Sequence, residues 1–563
     1  MDRPGDQERH DLTGQTLQDD RHAAAPADGG DAARRRPWWV WTVPFAAVMG
    51  VLLVRNAFLF STPLHEDADM GANSILIEQA RRFTLLVGHY SREKFNHPGP
   101  AFLYVQSWGE SVFWAALHVV PAAWNGQLIA VYALNALFAA LVVGTGYGVT
   151  RSLRAAAACC AALLVFAAVK PAVFSSDWMP YILIMPYLAF LVATASVAAG
   201  NLRDAWIAAL AGWFLINGNV AFLFFVPVVA CGCVAALGWP RRRTLLASAR
   251  SFFARQRRVW IPVAIISALF AFPIVANIAL HWPGEFGKYL TYSSKQGSNS
   301  LHQVAHYALW FWWTGPARVG WLVPVAAYLV AGLLTWRLAP GPARRFCVSL
   351  IAFNTLSSVA FLVYAVVAID ELVPNGYFIG YFYWSAPAIM LLVVLFALAE
   401  LLPSLTALPA LRALPSLTGL AVAVTAAVVA CAAFAVAPGT KTSINHTDPR
   451  SLTTGPDTDQ SLPDGVATMA ALADGRPVVL LRLQHNTWPS MTGLLVQAER
   501  AGVTACVADP YWEFLVTSQF ICTPAELADG AKFGLYLPGQ VPRGTPVVFR
   551  LRRSIVTPAP SGT

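Results

Sequence analysis

Through most of the chain, apolar residues run unbroken for some twenty positions and then stop at short polar or basic segments. A bilayer crossing takes roughly 18–20 apolar residues, so runs of this length predict transmembrane helices. They fall at about 38–60, 127–149, 155–173, 178–199, 203–217, 220–238, 259–281, 319–337, 346–369, 378–402 and 413–437, which predicts about eleven spans. The stretch 100–120 is set apart because it carries Gln106, Ser107, Glu110 and His118. Counting it as a span would put Arg151, Arg154 and the run from Arg241 to Arg258 outside. Leaving it out puts these and Arg34–Arg36, Arg203 and Arg337–Arg345 inside, where positive charge collects. The expectation is an outer juxtamembrane or re-entrant helix, with the N-terminus inside and the C-terminus outside.

That parity places 61–126, 282–318 and 438–563 on one face. The acidic cluster, Asp177, Glu285, Asp370-Glu371 and most histidines gather there. Chemistry on one side suits an outward-facing enzyme better than a carrier, whose site lies near the midplane. Residues 1–37 form a polar tail, expected to be disordered and cytoplasmic, with no cleavable signal peptide. The pattern changes at 438. A linker rich in Thr, Pro, Asp and Ser (438–465) leads to a small extracytoplasmic α/β domain at 466–563. Its strands are expected at 476–483, 503–507, 532–537 and 546–553, and a helix at 489–501 ends at Gly502. It lacks a glycine-rich phosphate loop, so it reads as an accessory or carbohydrate-contacting domain. The fold class is therefore an all-α polytopic membrane protein with a small C-terminal α/β domain.

Composition agrees. Of 563 residues, 56% are hydrophobic and 12% charged, about half the charge of a soluble chain. The net charge of +9 lies mostly between spans and implies the bilayer, not nucleic acid, as partner. Six of the eight cysteines sit in apolar runs as packing residues. Cys506 and Cys522 lie in the outer polar region and are expected to be bonded.

The candidate chemistry starts at His65-Glu66-Asp67-Ala68-Asp69, just past the first span. Acids near a bilayer are costly, so a cluster there implies a metal, a proton or a substrate. Residues 66 and 69 share a face in a helix, 67 and 69 in a strand. One carboxylate would act as general base, and a second could hold a divalent cation; the alternative is a solvated acidic helix start. Segment 72–88 is amphipathic, with Ile75, Leu76, Ala80 and Phe83 along one stripe, and is expected to lie flat on the outer leaflet. His97-Pro98-Gly99-Pro100 is a stiff turn that either presents His97 to a phosphate or sugar or simply starts a helix. Arg55, on the first span, either snorkels outward or aims at a phosphate. Loop 282–318 mixes Trp and Tyr with Lys288, Lys295 and His302, which suits sugar stacking, phosphate binding or an interfacial aromatic belt.

In this order the features resemble the GT-C superfamily of integral membrane glycosyltransferases, which includes protein mannosyltransferases and aminoarabinose transferases. The resemblance covers about residues 38–240. The family's first-loop catalytic carboxylate is matched by Glu66-Asp67, with Asp69 nearby. Its His-Pro-Pro turn is matched by His97-Pro98-Gly99-Pro100, with Gly for the second Pro. Its second-loop acid is matched by Asp177, in Ser176-Asp177-Trp178-Met179-Pro180-Tyr181. The resemblance implies sugar transfer from a polyprenyl-phosphate donor to a glycan, lipid or protein acceptor on the extracytoplasmic face. Asp67 (or Glu66) would be the base and Asp177 would orient. Asp69, Arg55, His97, Tyr181, Lys288, Lys295 and His302 would contact substrate. Rival readings are a transporter or lipid flippase and a non-catalytic envelope scaffold.

Overall fold

The computed structural model describes residues 36–238, 256–293, 299–313, 317–367, 377–406 and 459–559. In chain order the helices of the first part are α1 (Trp39–Arg55), α2 (Ala68–Arg81), α3 (Ala101–Gly109), α4 (Ala123–Thr150), α5 (Leu153–Val169), α6 (Ile184–Ala198), α7 (Ala205–Gly218) and α8 (Phe222–Gly238). After them come α9 (Arg257–Leu280), α10 (Gly284–Ser293), α11 (Leu301–Trp310), α12 (Leu322–Arg337), α13 (Pro342–Val367) and α14 (Ser385–Thr406). Ten of the eleven apolar stretches are helical; the last, 413–437, and residues 438–458 of the linker that follows it lie outside the described residues. The linker's end, expected to run to 465, is already helical from Leu462. Among the described residues five helical stretches are both long and apolar enough to cross a membrane, and several others are apolar but shorter. The chain is a multi-pass membrane protein.

Helix α4 is the axis of the bundle, packed on α1, α3, α5 and α6. Where α3 meets α4 the backbones touch. A Cβ on Gly109 would lie 2.5 Å from the Gly126 carbonyl oxygen, so neither position has room for a side chain. Helix α3 continues as a π-helical turn, Glu110–Ala116. Segment 100–120 is thus helical, and its one acid, Glu110, is buried.

The C-terminal domain runs α15 (Leu462–Ala473), β1 (Val478–Leu483), α16 (Trp488–Arg500), β2 (Ala505–Val507), α17 (Pro524–Asp529), β3 (Ala531–Tyr536), β4 (Phe549–Arg550) and β5 (Ile555–Pro558). The sheet order is β2-β1-β3-β5-β4. The first three strands are parallel, and β5 pairs antiparallel with both β3 and β4. Of the strand expected at 546–553, two residues remain, and the chain turns back as β5 to continue the sheet. Cys506 in β2 is disulfide-bonded to Cys522.

Helix α2 corrects one expectation. Its apolar stripe does not lie on a leaflet: Ala72, Ile75, Leu76 and Ala80 join Val478, Leu480, Leu494, Leu495 and Phe533 in one buried cluster. Each fully buried Ile or Leu contributes about 1.5–3 kcal/mol. Amphipathic spacing shows that a face must be covered, not what covers it. Here the cover is α16, so the C-terminal domain is seated directly on the segment that carries the acidic cluster.

Candidate functional site

The first three turns of α4 carry polar side chains inside an otherwise apolar helix, and these organise the loops around them. Trp124 donates its indole N–H to Asp177 Oδ2 at 2.6 Å. Asn125 accepts from the Leu64 N–H (3.0 Å) and donates to the carbonyls of Leu59 (2.8 Å) and Thr62 (2.9 Å), which fixes the chain just before the acids. Gln127 donates to Glu110 Oε2 at 2.8 Å, and Asn135 donates to the Phe174 carbonyl at 3.0 Å. Tyr132 stands within electrostatic reach of both Asp177 and Arg55. Arg55 is buried at the end of α1, so its guanidinium faces the bundle and does not snorkel.

Each carboxylate of the predicted set is directed to a different neighbour. Glu66 is buried and pairs with Arg500 of α16 at 2.7 Å. Asp67 is also buried and occupies the N-cap of α2, yet its side chain makes no capping hydrogen bond. An aspartate at that position ordinarily accepts from the helix's first N–H groups. Asp67 instead faces Arg553 Nε at 3.6 Å. Asp69 accepts from the Tyr90 hydroxyl, from Arg92 at 3.2 Å and from the Trp178 indole at 3.0 Å. Because Trp178 adjoins Asp177, the two acidic segments meet through a pair of tryptophans: Trp124 on Asp177 and Trp178 on Asp69.

Arg500 is the centre of a buried charge cluster that sequence reasoning missed. Besides Glu66 it pairs with Glu110 Oε2 at 3.3 Å and Glu78 Oε1 at 3.5 Å, and Arg81 reaches Glu78 (3.1 Å) and Glu110 (3.0 Å). Burial and the neighbouring Glu110 push the Glu78 carboxyl up to about 7. Burial opposes charge on Glu110 as well, but Arg500, the hydrogen bonds with Gln127 and Glu78, and Arg81 together outweigh it and hold that carboxyl below its usual range. With Glu78 protonated, two carboxylates face two guanidiniums and the cluster is neutral. Nothing along the sequence singles out Arg500, because an arginine closing a helix is commonplace.

The His-Pro turn folds inward. His97 is buried, its Nδ1 accepts from the Val220 N–H at 3.3 Å, and burial with His89 nearby lowers its pKa to about 3. It is therefore neutral and holds a loop corner rather than offering a cation. Gly99 has a steric reason: a Cβ there would lie 2.1 Å from Asn217 Oδ1. Of the remaining predicted contacts, Tyr181 is buried against Trp178 and Tyr381. Lys288 is exposed and paired with Glu285 at 2.8 Å. His302 stands exposed on α11. Lys295 and the acidic pair Asp370-Glu371 lie outside the described residues.

A second missed cation is Lys170, at the end of α5. Its ammonium sits 3.6 Å from the Trp384 ring centroid and 6.0 Å from that of Trp310. The signal was a lone lysine ending an apolar run, followed by Pro171. Trp310 also stacks near Tyr381, and Tyr381 near Trp178, so the lysine belongs to an aromatic wall that reaches Asp69. Among the described residues no group of three or more His, Cys, Asp or Glu side chains is arranged to hold a metal ion. Glu66, Asp67, Glu78 and Glu110 face arginines instead, and Asp177 faces an indole.

No protein-family model and no curated protein matches the chain. Among solved structures it is similar to the crystal structure of ArnT from Cupriavidus metallidurans bound to undecaprenyl phosphate. The match has a TM-score of 0.50 and 14% sequence identity, and it covers 93% of this chain and 99% of that one. The likeness spans both the membrane bundle and the C-terminal domain, so the two together share that protein's fold.

Proposed function

We propose that the protein is a membrane glycosyltransferase that moves a sugar from a polyprenyl-phosphate donor to a hydroxyl of a cell-envelope glycan, lipid or protein on the extracytoplasmic face. The observation that carries this reading is Asp67. It is buried at a helix N-cap and faces a guanidinium rather than the helix's own N–H groups, on a fold whose solved neighbour holds undecaprenyl phosphate. A carboxylate held this way is placed to take a proton.

Asp67 takes the proton of the acceptor hydroxyl as its oxygen bonds to the anomeric carbon. The bond from that carbon to the phosphate oxygen breaks, and the electron pair leaves with polyprenyl phosphate. Arg553, 3.6 Å from Asp67, sets the carboxylate's direction. Asp69, already accepting from three donors, orients the loop and the sugar. Asp177, gripped by Trp124, holds the second segment against the first. Glu66 is positional, because Arg500 occupies it. Arg55 and Lys170 are the cations beside this arrangement that suit the donor phosphate, where spreading negative charge lowers the barrier.

Purified protein incubated with a panel of polyprenyl-phosphate sugars, with water or an added glycan, lipid or protein hydroxyl as acceptor, tests the proposal by release of free polyprenyl phosphate. Wild type is expected to release it from at least one donor. Asp67→Asn is expected to lose about 10²–10⁴-fold in rate with folding unchanged. Full activity in Asp67→Asn removes the base assignment, and no release from any donor removes the enzymatic reading.

A further inference from the structure

The C-terminal domain offers more than a cover for the acidic segment. A cleft of about 490 Å³ opens where three parts of the chain meet: Tyr90, Lys94 and Asn96 of the first loop, Lys288 of α10, and residues 510–518 of the C-terminal domain. Tyr90 is the residue whose hydroxyl donates to Asp69, so one lining side chain of the cleft touches the acidic cluster. A second cleft of about 370 Å³ is lined by Leu481, Leu483 and Gln484 from the end of β1, Leu535 and Tyr536 from the end of β3, and Asp509. The two adjoin in the chain: Asp509 lines one and Pro510 the other.

The sheet topology explains the second cleft. From β1 the chain passes through α16 to β2 on one side, then returns to place β3 on the other, so the order reverses between β1 and β3. Open α/β sheets bind ligands outside the carboxyl ends of their strands at such a reversal. The chemistry of the first cleft narrows the ligand. Across the two clefts the lining lysines, Lys94 and Lys288, are matched in number by two lining acids, Glu513 and Asp509, so the combined lining carries no net charge. Hydroxyls of Thr517 and Ser518 add donors and acceptors. Tyr511 is 46% exposed, and its ring is positioned by the Lys94 ammonium 4.5 Å from the centroid. Balanced charge, paired donors and acceptors, and an exposed aromatic ring are what a polyhydroxylated chain requires.

We propose that the two clefts form one groove that binds the acceptor as a neutral linear saccharide, its end directed past Tyr90 toward Asp69 and Asp67. This rests on the glycosyl-transfer reading, deepens it by naming the acceptor class, and gives the C-terminal domain its role. The test uses the full-length protein in lipid nanodiscs, titrated without donor against neutral linear hexasaccharides of glucose, galactose and mannose, with a galacturonate hexasaccharide for comparison. At least one neutral hexamer is expected to bind more tightly than the galacturonate, and more tightly than its own disaccharide because both clefts engage. Tyr511→Ala, an exposed position that does not threaten folding, is expected to weaken that binding about two- to tenfold. No binding by any neutral hexamer, tighter binding of galacturonate, or unchanged affinity in Tyr511→Ala overturns the proposal. Because binding is measured without donor, a wild type that binds saccharide but releases no polyprenyl phosphate sinks the catalytic reading alone.

Discussion

Helices α4 and α9 are both long apolar runs, and the hydrophobic pattern reads them alike, yet 89% of the first one's apolar window is buried within the protein and only 6% of the second's. The difference lies in a few polar positions. Helix α4 carries Trp124, Asn125, Gln127, Tyr132 and Asn135 on successive turns, and several of these bind loop backbone or acids. Helix α9 presents Ile265, Leu269, Phe272 and Val275 outward and contacts α7 along one strip. A polar group inside hydrocarbon must find a partner, so polar residues in a span mark the face that turns inward. Apolar content alone marks only that the helix is in the membrane.

The comparison can be tested at graded cost. The network that α4 starts at Gln127 runs through Glu110 to Arg500. Arg500→Met leaves three buried carboxylates without their shared guanidinium, and is expected to cost about 3–5 kcal/mol, read as release of the C-terminal domain to protease. Trp124→Phe removes the N–H on Asp177. A hydrogen bond to a charged group contributes about 1.5–3 kcal/mol, so polyprenyl phosphate release is expected to fall roughly 10- to 100-fold.

A third variant asks what a buried polar group does without a partner. The ring nitrogens of His89 have no hydrogen-bond partner among the described residues, and burial lowers its pKa to about 4. Its folded pKa lies below the ordinary 6.5, so the unfolded chain takes the proton first. Stability is therefore complete above pH 6.5 and is lost as pH falls from 6.5 toward 4. Thermal unfolding at about pH 7 and about pH 4.5 should show that loss, and His89→Leu should reduce it. The smallest effect belongs to α9: Leu269→Ala, on the 68% exposed side chain, is expected to change stability by less than about 0.5 kcal/mol. A cost there comparable to Arg500→Met would erase the distinction between the two helices.

Much of the architecture was readable because the described spans and the first three strands of the C-terminal domain follow from a local period, whereas β5 carried no such signal. The candidate site was readable only in part. The acid cluster, Asp177 and the His-Pro turn stand out because acids are scarce in an apolar chain and prolines restrict the backbone. Their partners do not stand out, since Arg500 and Arg553 lie more than four hundred positions from Glu66 and Asp67. The inward turn of His97 depends on Val220, and the burial of α2 depends on α16, neither of which local spacing encodes.

By itself the sequence determined that this is a helical membrane protein with a small appended α/β domain and an acidic segment after its first span. Hydrophobic length and period act locally and leave their mark residue by residue. The tertiary structure alone decided which guanidinium or indole each of the acids Glu66, Asp67 and Asp69 meets, and that the appended domain packs on the helix that follows them. The pairings and the seating of the appended domain on α2 depend on charges and surfaces brought together from distant parts of the chain, where burial makes each pairing strong and each missing partner costly.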